Sequence, residues 1–114
     1  MNFYKSEKAV LALVSGEKAG ELTELSAGTV DASAEKHVPV YEVSDGKVTV
    51  KVGSVEHPML EKHFIEWVAV ETDKGFHVRY LEPLQKPEVC ISIEGEEVKG
   101  VYAYCNLHGL WKAD

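Results

Sequence analysis

Five of the seven histidine and cysteine side chains in this chain are placed where they could bind a transition metal. A cysteine and a histidine close the run Cys105-Asn106-Leu107-His108, and three more histidines precede it at His37, His57 and His63. Together they offer four imidazoles and one thiolate, which suit a borderline transition metal and are too soft for calcium or magnesium. The pattern therefore predicts one metal site.

Cys105 and His108 are the strongest evidence in the sequence for a metal site. Their three-residue separation on a turn lets both donors reach one ion, and Gly109 permits the tight backbone that such a turn needs. The other three histidines stand at strand or loop ends, which can converge at one rim of a rigid fold. Five donors exceed the closed tetrahedron of structural zinc and indicate a square pyramid with one open face, which favours iron.

Two residues of the same chemical types are left out of the predicted site. His77 lies in mid-strand on the opposite parity to Phe76, Val78 and Tyr80, so it is predicted to face solvent. Cys90 lies on the polar parity of its strand and is interpreted as a small, unreactive thiol.

The elements that must position the donors are predicted to be β-strands. Residues 48–52, 76–80 and 89–93 alternate between apolar and polar side chains, which is typical of half-buried antiparallel strands. With 37–43, 64–71 and 98–104 they give six or seven short strands, which predicts an all-β, immunoglobulin-like β-sandwich of about seven strands. Residues 1–36 are more polar and are predicted to form a short N-terminal extension and linker, and residues 37–114 the iron-binding sandwich domain.

The length and the net charge of the chain limit the classes of function that we expect. A chain of 114 residues fits one domain, and its net charge of −7 argues against nucleic acid and anionic membranes as partners. The first 20 residues carry no recognisable signal peptide or membrane span, and two cysteines are few for a disulfide-stapled secreted domain. We therefore expect a cytoplasmic protein with reduced thiols.

Four ordered runs of residues carry a family resemblance. They are Glu35-Lys36-His37-Val38-Pro39-Val40, the segment 52–59 around His57-Pro58, the segment 63–68 from His63 to Val68, and the segment 105–111 from Cys105 to Trp111. These runs closely resemble the superoxide reductases, the desulfoferrodoxin and neelaredoxin group, over residues 29 to 114. The resemblance implies one mononuclear non-haem iron per chain, cycling between Fe2+ and Fe3+. Its implied ligands are four equatorial histidines, His37, His57, His63 and His108, and one axial cysteine, Cys105.

The resemblance also implies an activity and partners. The iron would reduce superoxide by one electron to hydrogen peroxide, and an external electron donor such as rubredoxin would return the iron to the ferrous state. Glu35 and Lys36 match the family's catalytic positions. Glu35 corresponds to the carboxylate that occupies the open iron position after the product leaves, and Lys36 corresponds to the cation that attracts superoxide. Ser6 and Ala9 stand where a CxxC pair would open a desulforedoxin-like module, so the chain resembles a one-iron subclass with a degenerate N-terminal segment. A homo-oligomer, dimer or tetramer, is expected.

Two other functions remain open at this point. A superoxide dismutase would use the same site but return the electron to a second superoxide, and a non-catalytic module would only bind the metal. Because the chain is acidic overall, an anionic substrate also requires local positive charge at the site. The lysines next to the predicted ligands, Lys36, Lys62 and Lys112, are predicted to supply it.

Overall fold

The computed structural model describes residues 1–18 and 20–114, and in these residues the chain forms ten strands and one short helix. In chain order the elements are β1 (Asn2–Lys5), β2 (Val10–Leu13), β3 (Thr23–Glu24), α1 (Ala34–His37), β4 (Pro39–Ser44), β5 (Lys47–Val52), β6 (Ile65–Thr72), β7 (Phe76–Tyr80), β8 (Glu88–Ser92), β9 (Val98–Cys105) and β10 (Gly109–Lys112). Within the described ranges, no helix has the length and apolar character that a membrane crossing would require.

Strands β4 to β10 form a sandwich of two antiparallel sheets. One sheet has the strand order β10-β9-β6-β7 and the other the order β4-β5-β8. The predicted alternation of β5 is confirmed, because Val48, Val50 and Val52 are fully buried while Lys51 is exposed. These valines pack with Val68 and other apolar residues of the facing sheet, and this burial fixes the register of the strands. The prediction of an all-β sandwich of about seven strands is confirmed.

Strand β7 departs from the burial that its sequence predicts. Of its apolar positions only Phe76 is partly buried, whereas Val78 and Tyr80 are exposed. His77, predicted to face solvent, is half-buried, because it pairs with the core residue Val70 and so lies on the core side of the sheet. The prediction is wrong here because β7 is an edge strand whose apolar face points away from the core.

The N-terminal extension is more structured than its composition indicates. Strands β1 to β3 form a small antiparallel sheet in the order β2-β1-β3, which the sequence did not predict. Phe3 anchors it, with its ring centroid 5.3 Å from Trp67 and 5.1 Å from Tyr102 on the outer face of the four-stranded sheet. In the turn after β1, the amide of Ser6 donates to the carbonyl of Ala9. The boundary between residues 36 and 37 stays a prediction.

Candidate metal centre

All five predicted ligands lie on loops or at the ends of secondary-structure elements, at one end of the sandwich. His37 ends α1, His57 lies in the loop after β5, His63 precedes β6, Cys105 ends β9, and His108 lies in the turn before β10. The antiparallel pairing brings these ends together, because Cys105 is opposite both Ile65 and Gly109 in the sheet register. Gly109 has a φ of 76°, a left-handed conformation that glycine adopts without strain and that the turn requires.

The four imidazole rings form a square. Neighbouring ring centroids are 4.5, 4.8, 5.1 and 4.9 Å apart around the sequence His37, His57, His63, His108. Adjacent rings stand nearly perpendicular, at 77° to 84°, while the opposite rings of His37 and His63 are 6.4 Å apart and closer to parallel, at 29°. Such an arrangement lets one nitrogen of each ring face a common centre.

The donor atoms themselves also converge. The ligand atoms of four residues lie within 4.8 Å of one another: His37, His63, Cys105 and His108. His57 joins them through His37, since their Nε2 atoms are 3.1 Å apart. The Sγ atom of Cys105 lies 3.9 Å from Nδ1 of His108, so the sulfur belongs to the same cluster as the imidazoles.

The protonation of the rings fits a bound cation. Nδ1 of His37 lies 2.6 Å from the carbonyl oxygen of Ser33, and Nδ1 of His57 lies 2.6 Å from that of Pro58. A carbonyl can only accept, so Nδ1 carries the proton in both rings and each Nε2 presents a lone pair. Two such lone pairs 3.1 Å apart repel each other, and the buried Nε2 of His63 has no hydrogen-bond partner, so a cation among these nitrogens would relieve the repulsion and bind His63 as well. The residues therefore fit a metal ion.

The pKa values of the histidines favour the neutral ring that a metal requires. Burial, reinforced by the neighbouring imidazoles, lowers the pKa of His57 to about 4. Burial is also the largest cause that lowers the pKa of His37 and of His63, and the positive charge of Lys36 contributes to both shifts. These three imidazoles are therefore unprotonated near neutral pH and available as donors.

Two opposing influences act on the thiol of Cys105. Its side chain is fully buried, and burial raises the pKa of the thiol. Backbone hydrogen bonds from Leu107 and His108 to the sulfur act in the opposite direction and favour the thiolate. A cation at the centre of the imidazole square would complete the deprotonation, since a coordinating thiol binds as thiolate.

Several groups that support the predicted ligands were not identified from the sequence. The Trp111 ring stacks on His37, with centroids 4.9 Å apart at 30°, and its Nε1–H donates to the carbonyl of His108 at 3.1 Å. The carbonyls of Ser33 and Pro58 orient two of the rings. Trp111 could have been identified, because it lies within a motif that resembles the family. The two carbonyls could not, because a backbone carbonyl is present in every residue and cannot be recognised from the amino-acid types.

The other predicted residues are placed as follows. Glu35 and Lys36 are exposed on α1, directly before His37, and Lys36 lines a cleft of about 580 Å³ together with His57 and Lys86. Lys112 does not adjoin the cluster, because its Nζ lies 5.6 Å from the centroid of the Tyr102 ring, on the opposite face of β10 from Trp111. The prediction for Lys112 is therefore wrong.

The two excluded residues are not part of the cluster. Nε2 of His77 lies 3.1 Å from a carboxylate oxygen of Glu96, far along the sheet from the imidazole square. Cys90 is exposed on β8, 3.8 Å from the hydroxyl of Thr49.

The chain is similar to known proteins in both sequence and structure. The desulfoferrodoxin family model matches residues 29–114. The desulfoferrodoxin of Desulfarculus baarsii is 49% identical over 90 residues, which cover 79% of this chain and 71% of that protein. The superoxide reductase of Treponema pallidum has a solved structure with a TM-score of 0.81 and 37% identity, covering 99% of this chain and 98% of that one. The one-iron superoxide reductase of Giardia intestinalis has a TM-score of 0.59 and 33% identity, over 68% of this chain and 94% of that one.

Proposed function

Because the chain belongs to the desulfoferrodoxin family, we propose that it is a superoxide reductase that converts superoxide to hydrogen peroxide at one mononuclear iron. The relatives named as superoxide reductases, two of which have solved structures similar to this one, support the proposal. The proposed iron ligands are His37, His57, His63, His108 and Cys105.

The observation that carries the proposal is the square of imidazoles beside a buried sulfur. Four nitrogen donors and one sulfur exceed what a structural zinc site uses, and an ion held by these five would have a position left for an exchangeable ligand. His37, His57 and Cys105 are buried, whereas His63 and His108 are only half-buried. The side of the cluster that carries His63 and His108 is therefore the side nearest to solvent.

Each functional group of the chain has a separate proposed role. Bound iron would supply the one-electron chemistry that no side chain here offers, with Cys105 as the electron-donating ligand. Lys36 would attract the superoxide anion, since it is exposed and close enough for its charge to affect His37 and His63. Glu35, one residue further from His37, would occupy the open position after product leaves.

Other parts of the proposal rest on family membership and on the sequence. The electron donor is proposed to be a rubredoxin-like protein, the assembly a homo-oligomer of two or four chains, and the location the cytoplasm. The N-terminal sheet, with Ser6 and Ala9 in its first turn, is proposed to be a desulforedoxin-like module without its metal.

A pulse of superoxide given to the iron-loaded protein tests the reaction. We expect one iron per chain and one hydrogen peroxide for each superoxide consumed, with a stoichiometric loss of reduced donor. A dismutase would yield half as much peroxide and consume no donor. A protein that binds iron but does not accelerate the decay of superoxide would be a non-catalytic module, and the proposal would then be wrong.

A further inference from the structure

Asn106 lies within the turn that carries two proposed ligands, yet its side chain contacts the segment that carries a third. Its Oδ1 accepts the backbone N–H of Phe64 at 2.9 Å, and its Nδ2 donates to the carbonyl of Lys62 at 3.0 Å. The backbone N–H of Asn106 also donates to the carbonyl of Phe64 at 3.1 Å. Three hydrogen bonds thus connect the turn to the residues on either side of His63.

His63 needs this connection more than the buried rings of His37 and His57 do. His37 and His57 are each oriented by an Nδ1–H bond to a backbone carbonyl. In the described part of the chain no hydrogen bond is made by the ring of His63, and its buried Nε2 has no partner. Its own backbone is held only by a pair of hydrogen bonds with Leu60 across a short turn. The direction of the His63 ring therefore depends on how firmly its backbone is fixed.

We infer that Asn106 is a positioning residue that fixes His63 relative to Cys105 and His108. The primary amide is suited to this role because it accepts from one backbone group and donates to another, which aspartate and the short side chain of alanine cannot both do. The inference rests on the proposed ligand set and not on the proposed reaction. Groups that orient metal ligands in this way typically change metal affinity by about 10- to 100-fold when they are removed.

Titration of the metal-free protein with Co2+ tests the inference without any superoxide chemistry. We expect Asn106→Ala to weaken Co2+ binding by about tenfold, at the lower end of that range, and to shift the thiolate-to-cobalt absorption band. Asn2→Ala is the matched control, since Asn2 is the only other asparagine and is exposed on β1; it should bind as the wild type does. A loss of thermal stability in Asn106→Ala with wild-type affinity and an unchanged band would overturn the inference, because that is the result of a merely structural role.

A double-mutant cycle with His63→Ala identifies the residue through which Asn106 acts. If Asn106 works by placing His63, then Asn106→Ala should weaken Co2+ binding little further once His63 is gone. Fully additive losses would refute this connection. Should Asn106→Ala fail to fold while Asn2→Ala folds, Asn106→Ser decides in the same titration: weaker binding supports the inference and wild-type affinity refutes it. A failure of the superoxide assay alone would affect the proposed function and leave this result standing.

Discussion

Gly53 is the position where a single methyl group should disturb the metal centre most directly. A Cβ atom at Gly53 would lie 2.6 Å from the carbonyl oxygen of Glu35 and 2.9 Å from two further backbone atoms, of Lys36 and Val38. Ordinary contacts of a Cβ begin at 3.4 Å, so 3.4 − 2.6 = 0.8 Å of separation must be created. The atoms that would move are backbone, and side-chain rotation cannot relieve the contact.

The displaced segments are those that carry two proposed ligands. Gly53 opens the loop that leads to His57, and α1 ends with His37, whose Nε2 lies 3.1 Å from that of His57. Metal–ligand distances in proteins stay within about 0.2 Å of their usual values, so a ligand shift several times larger would weaken the bond to the metal. We expect Gly53→Ala to weaken Co2+ or Fe2+ binding by about 10- to 100-fold and to lower the free energy of unfolding by about 1–3 kcal/mol.

The test is to measure the metal affinity by titration and the stability by thermal unfolding for Gly53→Ala and for a second glycine variant. Gly75→Ala is the matched control, because nothing lies within 4 Å of a Cβ at Gly75 and its φ is not in the left-handed region. It should keep the wild-type metal affinity and change the stability by no more than about 0.5–1 kcal/mol. If Gly53→Ala binds metal as tightly as Gly75→Ala does, the close approach of α1 to the loop does not set the ligand spacing, and the reasoning is refuted.

Three further predictions follow from the same structure. Cys105→Ser should abolish the thiolate-to-iron absorption band and the reductase activity while the exposed Cys90→Ser leaves both intact, and equal losses would contradict the ligand assignment. Lys36→Ala should slow the reaction with pulsed superoxide by about tenfold and flatten its salt dependence, with iron content unchanged; a wild-type salt slope would remove Lys36 from the mechanism. Hydrogen bonds from Thr72 and His77 hold the pKa of Glu96 below its usual range, so its contribution to stability is present above the unfolded-state pKa and is lost as pH falls through the folded-state value. Melting curves of Glu96→Gln should therefore fall below wild type near pH 6 and meet it in acid, and a difference that persists in acid would exclude this linkage.

The sequence allowed the ligand types to be predicted because their signal is local. A cysteine and a histidine three residues apart, and valines alternating along β5, need only the chemistry and periodicity of neighbouring residues. The burial of β7 could not be predicted in the same way. The alternation of Phe76, Val78 and Tyr80 is that of a half-buried strand. Only the structure shows that β7 is an edge strand and that Phe3 covers Phe76 on this face while Val78 and Tyr80 stay exposed. Lys112 was misplaced for a related reason: proximity in sequence to the turn did not indicate which face of β10 it occupies.

The supporting contacts explain why the ligand motifs must occur together in one fold. The turn motif contributes Asn106, which holds the backbone around His63, and Trp111, which stacks on His37. The loop motif after β5 contributes Gly53, which lets α1 lie directly against it. These two motifs thus each supply a proposed metal ligand and a contact that positions a proposed ligand from another motif. Because these contacts join residues up to 74 positions apart, as between His37 and Trp111, this arrangement of residues depends on the tertiary fold and not on any one segment of the chain.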